Sequence, residues 1–372
     1  MSHPTATLIL EDGTMINGAS FGATTSTAGE VVFNTGMVGY PETFTDPSYK
    51  GQILVCTYPL IGNYGVPEDA KDNYHIHKYF ESDHIQIQGL IVSEYSENYC
   101  HWNAVKSLGT WLRENNIPGI TGIDTRSLTQ KLREKGVMLG KIITRKTPSR
   151  LAKLLHLEKK QPEMEFFDPN VINIVDQVSI KEPITYKAGR KKVVVVDCGT
   201  KNNIIREFID RKITVVKVPW NYNFFSHKYK CDGVFFGNGP GDPAVVKETH
   251  VLMKKCFEKK IPTFGICLGS QIMGIASGAK TYKLKYGHRG QNQPVIDLET
   301  KRCYITSQNH GFAVDEKTMP KDWLVWMINA NDKSIEGIKH KKLPFFSVQF
   351  HPEAHPGPTD CTHLFDSFID ML

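Results

Sequence analysis

Not one Cys-x-x-Cys pair occurs among the eight cysteines of this 372-residue chain. Scattered singly, they argue against a zinc site or a disulfide framework and suit a reducing compartment. Apolar runs are short. Leu8-Ile9-Leu10 gives way at once to Glu11-Asp12-Gly13, so the start does not read as a secretory signal, and no stretch reaches membrane-spanning length. Charge of one sign is also scarce: 45 Lys and Arg against 39 Asp and Glu leave +6, too little for a nucleic-acid surface. The chain has no phosphate-binding P-loop, no Gly-x-Gly-x-x-Gly dinucleotide fingerprint and no carboxylate set for magnesium. His75, His77, His84 and His101 lack the thiol or carboxylate spacing of a metal site, so no metal is expected.

What remains reads as an ordinary soluble, cytoplasmic protein of two domains. Residues 1–150 carry short strand signals at 8–10, 14–21, 29–33, 52–58 and 86–92. Helical spacing appears at 107–115 and, behind Asp124, at 125–135. This mixture predicts a smaller α+β or layered N-terminal domain without a catalytic set of its own. Between 151 and 190 the pattern weakens, apart from a helix expected over 150–157, and the inter-domain linker is placed there. From 191 to 372 the texture becomes β-α-β. The continuous run at 192–197 reads as a strand buried on both faces, a helical segment holds Ile204, Ile205, Phe208 and Ile209, and 213–218 is the next strand. The expected fold is α/β: a mostly parallel sheet with helices on both faces.

Chemistry concentrates at Gly265-Ile266-Cys267-Leu268-Gly269-Ser270-Gln271, between an apolar strand and an apolar helix. Gly-x-Cys-x-Gly is the thiol counterpart of the Gly-x-Ser-x-Gly elbow, whose tight turn lifts a nucleophile above the carboxyl edge of a sheet. The helix dipole there favours negative charge on sulfur, and nearby backbone N–H groups suit an oxyanion. Gln349-Phe350-His351-Pro352-Glu353 supplies a base with its orienting carboxylate, because residues two apart in an extended segment share a side. His310 competes as the base but lacks a carboxylate at that spacing. The loop Gly237-Asn-Gly-Pro-Gly-Asp-Pro243 suits a backbone clamp for a small polar ligand, with Gly239 and Gly241 at the same sheet edge as Cys267. Gln271, one helical turn beyond Cys267, either holds substrate or lies at the surface.

Together the elbow, the 237–243 loop and His351-Pro352-Glu353 resemble the triad-type glutamine amidotransferases, which implies a flavodoxin-like C-terminal domain. Gly36-Met-Val-Gly-Tyr-Pro41, Asp46-Pro-Ser-Tyr-Lys50, Gly122-Ile-Asp-Thr-Arg126, Arg289-Gly-Gln-Asn-Gln-Pro294 and Ser307-Gln-Asn-His-Gly-Phe-Ala313 narrow the resemblance. They are similar to the small subunit of carbamoyl-phosphate synthetase, nearest the multifunctional pyrimidine-pathway form of eukaryotes. The resemblance implies Cys267 as nucleophile with His351 and Glu353, and a glutamine-binding set of Ser48, Gly239, Gly241, Leu268, Gln271, Asn309, Gly311 and Phe312. Ser48 is thereby expected from the N-terminal domain. It also implies hydrolysis of L-glutamine, with ammonia passed to a large subunit or fused synthetase domain that makes carbamoyl phosphate from bicarbonate and ATP. No cofactor is expected in this chain, with ATP and magnesium in the partner. Ureotelic relatives that use free ammonia have serine for the cysteine, so Cys267 favours a working glutaminase. Gly237 departs from the family, where serine is frequent. The other readings are an amidotransferase of another pathway and an inactive glutamine-binding regulatory module.

Overall fold

The computed structural model describes residues 5–144, 164–226 and 230–372. The chain divides into two compact units. One comprises Met1–Met37, Gly51–Asp69 and His84–Pro169, and the other Val38–Lys50, Ala70–Asp83 and Asn170–Leu372. Two stretches that sequence order alone assigns to the first domain, 38–50 and 70–83, therefore belong to the second. Ser48 is among them, which corrects its expected placement. The helix expected over 150–157 lies outside the described residues.

In the first unit the mixture of strands and helices takes a more specific form than a layer. Strands Thr5–Leu10, Met138–Thr144, Thr27–Asn34, Gln52–Cys56, Gly89–Ile91, Gly119–Thr121 and Met15–Ser20 close, in that order, into a barrel. Closure satisfies every edge. Alternation supplies the inside: in Thr5–Leu10 it is Ala6, Leu8 and Leu10 that are buried. The hairpin at 8–21 pairs Thr5–Leu10 antiparallel with Met15–Ser20. Helix Leu108–Glu114 starts at Ser107 and helix Thr125–Lys135 at Asp124, each cap accepting from the backbone N–H three residues on. Such a cap stabilises a helix by about 1 kcal/mol.

The second unit is built on a 10-stranded sheet. Its parallel centre runs Thr214–Pro219, Lys192–Asp197, Gly233–Phe236, Thr263–Ile266, Phe345–Val348. Beyond Phe345–Val348 the sheet continues antiparallel through Ile335–His340, Trp323–Asn329, Thr281–Asp297 and Cys303–Val314. Period-two alternation fills both faces. Val194 and Val196 pack with Leu252, Met253, Ile272 and Met273 on one side. Val193 and Val195 pack with Ile204, Phe208, Phe365 and Phe368 on the other. Each valine so buried stabilises the fold by roughly 1.5–3 kcal/mol. The helices on these faces are Lys247–Glu258 and Leu268–Ser277 on the first, Asn202–Asp210 and His363–Ile369 on the second. Among the described residues no helix is long and apolar enough to cross a membrane.

Candidate active site

Parallel pairing sets the site. Strands Thr263–Ile266 and Phe345–Val348 run side by side with Ile266 opposite Val348, so Cys267 and the segment from Gln349 onward leave the sheet at the same edge. The Cys267 N–H donates to Val348 O at 2.9 Å. Its backbone sits at φ 55, ψ −104, outside the regions that ordinary L-residues adopt, a strain of order 1–3 kcal/mol. The surroundings hold it there. A Cβ on Gly269 would lie 2.2 Å from Phe236 O, and one on Gly265 would lie 2.7 Å from the Gly269 carbonyl, so the elbow is pressed against the neighbouring strand as only glycine permits. In the first turn of the elbow helix Gly269 N–H donates to Gly237 O, while Ser270 and Gln271 donate to Cys267 O.

The thiol is buried, its Sγ 3.7 Å from Asn309 O. His351 and Glu353 are equally buried and joined, Nδ1 to Oε1, at 2.6 Å. Among the described residues His351 Nε2 has no nitrogen or oxygen partner. Burial works against a charged ring, yet the Glu353 carboxylate and the Cys267 sulfur outweigh it and raise the His351 pKa to about 10. Burial likewise pushes the Glu353 carboxyl up, but Lys201 and then His351 hold it below the usual carboxylate range. The imidazole thus keeps its proton through neutral pH, where it can be donated. His310, the competing base, makes contacts of another kind: Nδ1 meets Phe312 O at 2.8 Å and Nε2 meets Gln308 Oε1 at 3.1 Å. Burial, followed by the positive charge of His288, keeps it neutral.

The remaining residues of the expected binding set occupy the same unit. Ser48 Oγ accepts from Asn238 Nδ2 at 2.9 Å. Asn309 Nδ2 donates to Asp46 Oδ2 at 3.2 Å. Gln271 is buried rather than at the surface, and its Nε2 donates to Phe312 O at 2.8 Å and to Gln349 Oε1 at 3.1 Å. Leu268 is buried against Gly239, where a Cβ would meet Cys198 O at 2.1 Å. Gly241 adopts φ +83. Gly311 adjoins the Arg289 guanidinium, and Phe312 is buried. The unusual Gly237 also finds a reason here: a Cβ at that position would lie 2.1 Å from Thr200 Oγ1, so the threonine fills the space a serine side chain would need.

Sequence reading missed Lys201. Its Nζ is buried 3.1 Å from Glu353 Oε1 and donates to Ala354 O at 2.5 Å. A signal was present, since Lys201 is the N-cap of helix Asn202–Asp210, the end where a cation opposes the helix dipole. It also missed Asp46 and Asn238, buried polar groups flanking Ser48 and Gly239. His288, His310 and Glu336 each bring one ring nitrogen or carboxylate oxygen within 4.8 Å of the others, with His288 the ring whose proton is favoured. Burial disfavours its proton, but hydrogen bonds to Asp332 and Glu336 raise its pKa to about 9.

Comparison with known proteins agrees with this geometry. Residues 8–142 match the family "Carbamoyl-phosphate synthase small chain, CPSase domain", and residues 194–371 match "Glutamine amidotransferase class-I". The chain is 46% identical to the carbamoyl phosphate synthase arginine-specific small chain of Aspergillus oryzae, over 100% of this chain and 81% of that one. It is 51% identical to the Multifunctional protein CAD of Squalus acanthias over 98% of this chain, which spans only 16% of the shark protein. Against the mitochondrial, ammonia-named carbamoyl-phosphate synthase of Mus musculus the identity is 48%, over 99% of this chain and 24% of the mouse protein. With an elbow cysteine, a histidine–carboxylate pair and a match that spans this chain and 81% of the Aspergillus small chain, the chain belongs to the carbamoyl phosphate synthase small chain family, its C-terminal part a class-I glutamine amidotransferase domain.

Proposed function

We propose that the chain hydrolyses the side-chain amide of L-glutamine and supplies the ammonia for carbamoyl phosphate synthesis. The observation that carries this is the strained Cys267 elbow beside a buried His351–Glu353 pair at 2.6 Å. Sulfur attacks the amide carbon, forming the S–C bond. As the tetrahedral adduct collapses, the C–N bond breaks and His351 gives its proton to the departing nitrogen. Neutral His351 then takes a proton from water, which attacks the glutamyl thioester and releases glutamate and the thiol. Glu353 holds the ring and balances its charge throughout. Ser48, Gly239, Gly241, Leu268, Gln271, Asn309, Gly311 and Phe312 form the glutamine pocket in this reading.

Ammonia then passes to a synthetase large subunit or a fused synthetase domain, where bicarbonate, ATP and magnesium are handled. In support, the chain matches both a separate small chain and a segment of a far longer multifunctional protein. The domain reading retains 1–150, 151–190 and 191–372, with 38–50 and 70–83 folded into the amidotransferase unit. The location proposed is cytoplasmic, which a fluorescent fusion would check. The deciding assay is glutamate release together with carbamoyl phosphate formation in the presence of the synthetase. Cys267→Ser is expected to abolish the glutamine-dependent reaction and spare the ammonia-dependent one. Equal activity of the variant with glutamine would overturn the assignment, and no glutamate release by the native chain would favour a glutamine-binding regulatory module.

The pathway proposed is pyrimidine synthesis, supported by the 51% identity to a multifunctional form. The arginine-specific name of the Aspergillus relative favours the other pathway. Deleting the gene separates the two, through a uracil or an arginine requirement.

A further inference from the structure

Asp46 is a buried carboxylate set between helix Tyr40–Thr45 and the single turn Pro47–Tyr49. Locally it caps that turn: Oδ1 accepts from the Ser48 N–H at 2.9 Å. Its other contacts reach far along the chain and add nothing to a cap. Oδ1 also accepts from Asn238 Nδ2 at 3.3 Å, and Oδ2 accepts from Asn309 Nδ2 at 3.2 Å. The same Asn238 amide donates to Ser48 Oγ at 2.9 Å, while its Oδ1 accepts from the Lys201 N–H at 3.0 Å. Lys201 closes the chain on Glu353 at 3.1 Å. Every one of these groups belongs to the second unit.

We propose that Asp46 is a positioning residue of the glutamine site, the one acceptor group that fastens the Ser48 turn, Asn238 and Asn309 together so that Ser48 and Asn309 present themselves correctly to substrate. This rests on the amidotransferase reading above. The chemistry demands a carboxylate. Three N–H donors converge on two oxygens, and an amide in the same place would offer one oxygen and turn its own NH2 against an asparagine NH2. A buried donor left without an acceptor disfavours the arrangement that strands it, so the pocket would relax away from its binding geometry. The thiol and its histidine keep their own supports, the Val348 carbonyl at the Cys267 N–H and the Glu353 carboxylate at His351; Asp46 holds the Asn309 side-chain amide, whereas the thiol meets the Asn309 backbone carbonyl.

Three variants separate positioning from capping. Asp46→Asn keeps the shape and loses one acceptor. Asp46→Ser keeps a capping oxygen for the Ser48 N–H and is too short to reach Asn238 and Asn309. Ser48→Ala removes only the hydroxyl. Glutamate release by the full chain is measured across glutamine concentration, alongside the rate of Cys267 alkylation by iodoacetamide, which needs no glutamine pocket. Asp46→Asn and Asp46→Ser are both expected to raise KM about tenfold or more, with a smaller change in kcat and alkylation at the native rate. Adding Ser48→Ala to Asp46→Asn is expected to change KM little further, since the hydroxyl is already misplaced. Native KM in Asp46→Ser would show that the residue is only a cap, and additive effects in the double variant would show that Ser48 does not act through it; either result overturns the proposal. If the native chain releases no glutamate, the amidotransferase reading falls and takes this proposal with it.

Discussion

Replacing Lys201 by methionine tests how the Glu353 carboxylate is kept charged inside the protein. Lys201 and Glu353 are 3% and 1% exposed, and their ion pair spans 3.1 Å. Methionine matches the length and removes the charge, so among the described residues Glu353 stays buried with His351 as its cationic neighbour and with its Oε2 lacking a hydrogen-bond partner. Breaking a buried pair by removing one member costs about 3–5 kcal/mol. At about 2–4 °C per kcal/mol for a unit of this size, Tm should fall by roughly 10 °C at pH 8. The sign with pH is fixed. Burial raises the Glu353 pKa, Lys201 and His351 together depress it below 4.5, and a depressed carboxyl contributes stability above its unfolded pKa that is lost as pH falls through its folded one. The gap between native and variant should therefore be full at pH 8 and narrow toward pH 4, where Glu353 can escape by taking a proton. Turnover should drop as well, since a carboxylate that shifts by about 1 Å misaims His351 at a cost on the order of a hundredfold. Calorimetry at pH 8 and pH 4, with glutamate release at saturating glutamine, reads both effects. A variant that melts within about 2 °C of native at pH 8 and turns over at the native rate would refute this account of Lys201.

Three further outcomes are expected. Alanine at 351 should remove thioester formation almost completely, while alanine at 310 leaves measurable turnover, as rapid-quench trapping of the acyl-enzyme would show; the reverse ranking would name His310 as the base. The alkaline limb of the native kcat profile should fall near pH 10, where His351 gives up its proton, and Glu353→Gln should move that limb toward 6.5 by removing the carboxylate that raises the ring; a limb that stays in place would refute the pairing. Gly269→Ala should destabilise the unit and suppress Cys267 alkylation, because the added methyl would lie 2.2 Å from Phe236 O and push the elbow off its strand; native alkylation rates would show that the elbow tolerates the group.

Much of this was legible in the residues because it is local. A continuous apolar run marked Lys192–Asp197, helical spacing marked Asn202–Asp210 and Thr125–Lys135, and Asp124 marked the start of the last. Gly265 and Gly269 announced the tight approach around Cys267, and the two-residue step from His351 to Glu353 announced their hydrogen bond. The barrel was not legible. Its closure needs Thr5–Leu10 to meet Met138–Thr144, a pairing that no local pattern encodes. Nor was the membership of 38–50 in the amidotransferase unit, since sequence order places Ser48 with the barrel strands while Asp46, through Asn238 and Asn309, ties it elsewhere. Lys201 shows the division most sharply. By sequence it is a cation at the wrong end of a helix dipole, a locally unfavourable choice. Only the folded chain brings the Glu353 carboxylate to 3.1 Å, where burial makes the pair interact strongly enough to reverse that preference.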